Sequence, residues 1–207
     1  MEDRWLQKAK RLQGIASTGL HFTKDDFDRE RFLEIGAIAN EMLAELGDVP
    51  VSRIEGLVSD FAKGYATPKV DVRGAVFRQD RILLVQERSD QRWTLPGGFA
   101  DIGLSAAENV VREIYEEAGL HVTAHRLFSV RHKAKHPYNP DARDFYKLFF
   151  LCDDLSKAEP ASGHETASVD FFPLDALPPL SLGRVLESDI AAAFAARLNP
   201  ERPVLFD

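Results

Sequence analysis

Cysteine is almost missing from this chain of 207 residues: Cys152 stands alone, which excludes an internal disulfide framework and suits a reducing compartment. It sits in the apolar run Tyr146 to Cys152, where a core thiol is expected rather than a nucleophile. Positive charge is also in short supply. With 26 Lys and Arg against 33 Asp and Glu, the net charge of −7 argues against general nucleic-acid binding, which works by neutralising phosphates. An anionic substrate must therefore be met by local cations or by a metal ion. No apolar run is long enough to span a bilayer. The N-terminus, Met1 to Trp5, lacks the apolar core of a signal peptide, so a cytoplasmic protein is expected. Repeats and low-complexity segments are absent as well. Hydrophobic residues make up 44% of the chain, enough to pack a core.

The segment Gly97 to Leu120 reads as a glycine loop leading into one helix. Ser105 and Glu108 form a capping box at its start. Gly119 can adopt the left-handed conformation that ends it. Ala107, Val111, Ile114 and Ala118 recur at helical spacing as a buried face. Glu113, Glu116 and Glu117 cluster on another side, where like charges three and four residues apart repel by about 0.2–0.5 kcal/mol per pair. Arg112 offsets part of this; a hard divalent cation such as Mg²⁺, bridging to substrate phosphates, would relieve the rest. Taken alone, the glutamate run also reads as a solvated acidic helix face.

The glycine pair at a fixed distance upstream, behind the apolar turn Trp93 to Pro96, decides between the two. This stretch resembles the box of the Nudix hydrolase family: Gly, five residues, Glu, seven residues, then Arg-Glu-apolar-x-Glu-Glu-x-Gly-apolar. Gly98, Arg112, Glu113, Ile114, Glu116, Glu117, Gly119 and Leu120 match in register, and Leu104 stands where the box has its first Glu. The resemblance implies an α/β/α sandwich built on a mixed sheet. It also implies that Glu113, Glu117, Glu116 and the carbonyl of Gly97 hold Mg²⁺, with Mn²⁺ as an alternative. Gly98 lets the backbone approach metal and phosphates closely. Glu116 either completes the cluster or holds the attacking water. Arg112 is expected to orient the carboxylates rather than touch substrate. Leucine offers no oxygen; Asp101 is a nearby substitute ligand, although an ordinary loop role is the stronger expectation for it.

Residues 1–66 read as three helices. Trp5, Leu6, Ala9, Leu12 and Ile15 form a first stripe that Gly19 is expected to stop. Thr23 and Asp26 offer a cap to a second helix, carrying Phe32, Ile35, Ala39, Met42 and Leu46 and ended by Gly47. Ser52 and Glu55 cap a third, with Ile54, Leu57, Val58 and Phe61. The heptad-like seam Phe32–Leu46 is either a homodimer contact or an intramolecular stripe. The start Trp-x-x-x-Ala-x-x-Leu-Gln before a Nudix box resembles a subgroup that hydrolyses X-linked nucleoside diphosphates, ADP-ribose and CDP-choline among them. Members of that subgroup commonly lack the first box glutamate.

Past the linker Ala66 to Pro68, the expected domain of residues 67–207 opens with strands at Val70–Phe77 and Ile82–Gln86. Further strands are expected at Val122–Val130, Phe145–Cys152 and Ser168–Phe172, and a closing helix at Leu182–Leu198. The intervening loop offers Arg131, Lys133 and Lys135 either as phosphate-facing charge or as a solvated run. His132 and His136 lack the spacing and cysteine partners of a zinc site. Tyr138, Tyr146 and Phe99 can stack on a base; a core role is preferred for the last two. Nudix enzymes of the ADP-ribose type often take a base from a loop beyond the box, which here points to Glu165 as general base, metal ligand or plain surface carboxylate. His164 reads as an exposed loop residue. The expected activity is a Mg²⁺-dependent pyrophosphatase releasing a nucleoside monophosphate and a phosphorylated X. The rival is a Nudix-fold sensor that binds such a ligand without hydrolysing it.

Overall fold

The structure, a computed structural model, describes residues 2–59, 65–156 and 158–207. The chain packs as two units, Met1–Lys69 with Pro140–Phe145, and Val70–Asn139 with Tyr146–Asp207.

In the first unit, α1 spans Arg4–Phe22, α2 Asp26–Gly47 and α3 Val51–Ser59. Asp3 caps α1 by accepting from the N–H groups of Trp5 and Leu6. Gly19 does not stop this helix, which runs on to Phe22. A Cβ on Gly19 would lie 2.4 Å from the Phe32 ring, so the glycine is there to let α2 pack closely. Asp25, rather than Thr23 or Asp26, caps α2. At its far end Asp48, not Gly47, takes the left-handed conformation, with φ 47°. Leu6, Ala9, Leu43, Ala44 and Ile54 form the core of this unit, and Ala142 packs against them. Lys10 reaches Asp144 at 3.0 Å. Of the expected third-helix stripe, Phe61 lies outside the described residues, as does the side chain of Val58.

The second unit is a seven-stranded mixed sheet between two helices. Its strands are β1 (Lys69–Arg78), β2 (Arg81–Glu87), β3 (Trp93–Thr94), β4 (Val122–His132), β5 (Phe145–Asp154), β6 (Thr166–Phe172) and β7 (Leu205–Phe206); its helices are α4 (Ala106–Ala118) and α5 (Glu187–Leu198). The order is β3-β2-β1-β5-β4-β7, with β6 also pairing β2. β4 and β5 pair antiparallel, while β7 lies parallel to β4. Alternation along the strands sends residues to opposite faces. Val72, Val76, Leu83, Val85, Phe150 and Cys152 meet Val110, Ile114 and Ala118 of α4. Ala75, Ile82, Leu84, Phe149 and Leu151 meet Ile190, Ala193 and Ala196 of α5. Gly74 is the β1 position where Ile114 fits, since a Cβ would come within 2.5 Å of its side chain. This is the α/β/α sandwich expected from the sequence. The closing helix starts at Glu187, five residues later than its apolar pattern suggests, where Asp189 accepts from the Leu186 N–H. Cys152 is buried, and burial pushes its thiol up to about 12, in keeping with an inert core residue.

Candidate active site

The helix α4 starts and stops where its sequence says it should. Ser105 and Glu108 exchange side-chain and backbone hydrogen bonds, and Gly119 takes φ 67° at the far end. The cap fixes which faces point where. Val110, Ile114 and Ala118 go to the sheet. That leaves Glu113 and Glu117, one turn apart, facing the glycine loop.

Glu117 is buried, and its Oε2 accepts a hydrogen bond of 2.8 Å from the Gly97 N–H. Gly97 has φ 139°, and a Cβ there would fall 2.0 Å from the carbonyl oxygen of Val72. Only glycine fits. At Gly98 a Cβ would meet Glu113 Oε1 at 2.8 Å, so this second glycine makes room for the other carboxylate. The loop is tied to the edge of β1 through Val72 N–H donating to Gly98 and Gly74 N–H donating to Pro96.

Burial raises the pKa of Glu117 to about 8, and the charges of Glu113 and Glu87 add to the rise. Arg73 and the Gly97 N–H pull it down without prevailing. Burial also raises Glu113, helped by Glu116 and Glu165 and opposed by Arg73. Glu87, at the end of β2, is raised by burial against the pull of Arg184 and Arg73. Arg73 thus pulls on all three carboxylates, and Arg184 also stands 3.0 Å from Glu87, but burial outweighs these cations and holds the protons.

Arg73 is itself buried. Its Nε and Nη2 donate to Asp71 at 3.0 and 2.9 Å, and its Nη1 donates to the Leu95 carbonyl. Lys147 donates to the same Asp71 at 2.7 Å. Burial would raise the Asp71 carboxyl, but its two cations outweigh that and hold it well below the usual carboxylate range. For Lys147 burial wins, lowering it to about 8. None of Asp71, Arg73 or Glu87 emerged from the box pattern. The available signal was a pair of charges, Asp71 and Arg73, inside a strand that otherwise reads as buried.

Glu116 is exposed and stands beside Arg112, with Nε 3.6 Å from its Oε1. Arg112 Nη2 meets Asp101 Oδ2 at 2.6 Å. Asp101 thus contacts the arginine, and Leu104 sits half-exposed in the same loop. The loop beyond the box is pinned to the end of α4: Gly163 N–H and the Thr166 hydroxyl both donate to the Glu117 carbonyl. Glu165, exposed in this loop, lies near enough for its charge to raise both Glu87 and Glu113. The backbone carbonyl of His164 accepts from Arg88.

The basic residues are differently placed. Arg131 pairs across the strands with Lys147, and its Nη1 lies 3.8 Å from Asp207. His136 Nε2 lies 2.6 Å from the same carboxylate. Lys133 is half-buried and Lys135 exposed on the short 3₁₀ turn Lys133–Lys135. Tyr138 is buried, its hydroxyl donating to Asp189 at 2.6 Å, so it is not a stacking surface. Phe99 and Tyr146, expected in the core, are 42% and 46% exposed. Each sits where strand or loop alternation turns it away from the packed face.

Among the described residues no three acidic, histidine or cysteine side chains converge as a ready-made metal cage. Two carboxylates with raised pKa values beside a glycine backbone nonetheless suit a hard cation. Mg²⁺ is usually held by one or two carboxylates plus substrate phosphates, not by an all-protein cage.

Comparison with known proteins gives the family. Residues 67–193 match the NUDIX domain family. The chain belongs to the Nudix family. Residues 3–58 match a second family, described as a UDP-X-like, N-terminal oligomerisation domain. A relative from Bacillus subtilis, named "Putative ADP-ribose pyrophosphatase YjhB", is 43% identical over 207 residues, covering 100% of this chain and 99% of its own. A crystal structure of an ADP-ribose pyrophosphatase from Streptococcus suis is 42% identical with TM-score 0.62, over 68% of this chain and 100% of that one. The structure of a UDP-X diphosphatase is 31% identical with TM-score 0.63, over 98% of both chains. This Nudix hydrolase thus has relatives along its whole length, helical unit included. No described helix is long and apolar enough to cross a membrane.

Proposed function

We propose that this Nudix hydrolase is a Mg²⁺-dependent pyrophosphatase acting on a nucleoside diphosphate linked to X, with ADP-ribose and CDP-choline as leading substrates. The observation that carries the reading is the buried Glu117 folded onto Gly97 with Glu113 alongside, two carboxylates held close without enough counter-charge. The names of its relatives support ADP-ribose first.

In this reading Glu113, Glu117 and the Gly97 carbonyl hold the cation, with Glu116 at the rim. When bound there, Mg²⁺ supplies Lewis acidity to the phosphate oxygens and to water, and Mn²⁺ can replace it. Gly98 lets the pyrophosphate approach the backbone. Glu165 takes the proton from the attacking water, because its loop is fixed against α4 while the carboxylate stays exposed. Glu116 positions that water, and Arg112 holds Glu116. Arg131, Lys133 and Lys135 attract the anionic substrate in an acidic protein.

The protein works in the cytoplasm, without nucleic acid, as a homodimer of two-domain chains, residues 1–66 helical and 67–207 Nudix. Of the seam Phe32–Leu46, Ala39 is buried and Met42 packs on the unit's own core, so the dimer contact is the remaining outer face of the second helix, where Leu33, Ile38 and Leu46 are exposed. The description of the matching N-terminal family supports oligomerisation through the helical unit. Sedimentation should find a dimer; a monomer would remove the assignment.

A panel of ADP-ribose, nucleotide sugars, CDP-alcohols and dinucleoside polyphosphates with Mg²⁺, analysed for products, tests the activity. Nucleoside monophosphate plus phosphorylated X is expected. Leu104 favours one rival, a Nudix-fold sensor that binds without turnover. Tight binding of an intact nucleotide, with no product from any member of the panel, would establish it instead.

A further inference from the structure

Arg112 does not lack a carboxylate, although the box glutamate is replaced by Leu104. Asp101 Oδ2 lies 2.6 Å from its Nη2. The loop that brings Asp101 there is held from below by Asn109, which is fully buried. Its Nδ2 donates to the carbonyls of Asp101, Leu104 and Ser105, and its Oδ1 accepts from the Asp101 N–H at 2.8 Å. Every polar group of this buried amide is thereby spent on fixing residues 101–105. Asn109, Arg112 and Glu116 follow one another along α4 at spacings of three and four, so they share a side of the helix. Asn109 anchors the backbone of Asp101, and Arg112 binds its side chain. Arg112 Nε is shielded from solvent without a hydrogen-bond partner, facing Glu116 Oε1 at 3.6 Å. The guanidinium is therefore hydrogen-bonded to Asp101 and makes a looser ion pair with Glu116.

We infer that Asp101 is a positioning residue, the stand-in for the carboxylate missing at position 104, which turns Arg112 so that it holds Glu116 at the rim of the site. This rests on the hydrolase reading above. Asp101 is exposed, and an exposed ion pair contributes little to stability. Its replacement should therefore leave the fold intact and act through the chemistry.

The test compares wild type with Asp101→Ala, Asp101→Glu and the pair Asp101→Ala with Leu104→Glu, using ADP-ribose and Mg²⁺. Outer partners of metal-site residues typically contribute about 10–100-fold, so kcat should fall about tenfold or more in Asp101→Ala, with KM and melting temperature nearly unchanged. Asp101→Glu and the paired substitution should both recover most of the loss. Arg112→Ala should be no worse when Asp101→Ala is added to it. A kcat in Asp101→Ala within about twofold of wild type, additive losses, or no recovery by either added carboxylate would overturn the inference. A second readout needs no turnover: the Arg112 Nε–H resonance should be sharp in wild type and Asp101→Glu and lost in Asp101→Ala. If no substrate is hydrolysed, the proposed activity fails, while this resonance still decides whether Asp101 orders Arg112; persistence in Asp101→Ala refutes it.

Discussion

Glu117→Gln separates what this carboxylate costs the fold from what it gives the chemistry. The substitution keeps the shape and leaves an amide oxygen for the Gly97 N–H. Without metal, burial raises Glu117 to about 8 from the ordinary glutamate value of 4.5. A raised acid contributes stability that is fully present below its unfolded pKa and is lost as pH rises through its folded pKa. The window is therefore pH 4.5 to about 8. Each unit is about 1.4 kcal/mol, so the full shift corresponds to roughly 5 kcal/mol, an upper figure because neighbouring carboxylates titrate with it. Metal-free wild type should lose a few kcal/mol across this window relative to Glu117→Gln, whose amide cannot ionise. Added Mg²⁺ should reverse the trend in wild type, by favouring the ionised carboxylate, and leave the variant almost unaffected. Turnover should fall by about a thousandfold or more, as befits loss of a ligand in metal-assisted catalysis. Urea midpoints at pH 5, 6, 7 and 8, with EDTA or with Mg²⁺, read the stability; product formation reads the rate. Parallel pH profiles for the two proteins, or near-normal turnover in the variant, would refute the reasoning.

Gly97→Ala should cost at least about 3 kcal/mol in a urea titration, because its Cβ would run into the backbone of β1 at a strained φ. Gly98→Ala should spare the fold and weaken Mn²⁺ binding measured by calorimetry, because its Cβ displaces the Glu113 carboxylate. Asp71→Asn should lower stability by about 3–5 kcal/mol, since two buried cations, Arg73 and Lys147, lose their shared counter-ion; a loss under about 1 kcal/mol would contradict the burial of that network. For Glu165→Gln, the acid-side limb, where the rate rises with pH as the base loses its proton, should vanish from the pH–rate profile, and an unchanged profile would exclude Glu165 as the base.

Legibility followed the range over which each feature is encoded. The helix α4 was readable to the residue because its determinants are local: Ser105 and Glu108 cap it, Gly119 ends it, and its apolar spacing is unbroken. The five longer strands were readable within about two residues for the same reason. Two-residue strands were not. Trp93–Thr94 and Leu205–Phe206 are extended only because β2 and β4 offer free edges to them. Gly19 misled because the residue that requires it, Phe32, lies in the next helix.

The candidate site divides along the same line. Glu113, Glu116 and Glu117 were visible because one helix carries them at fixed spacing. The groups that act on the protonation of Glu113 and Glu117 were not, because Arg73 arrives from β1 and Glu87 from β2, brought together by the sheet alone. Physically, the box supplies negative charge and the sheet decides how much of it is neutralised. Arg73, already committed to Asp71, does not offset the burial of Glu113 and Glu117. In the proposed reading a bound cation would neutralise the remaining deficit, and the sequence of α4 by itself holds only half of that sum.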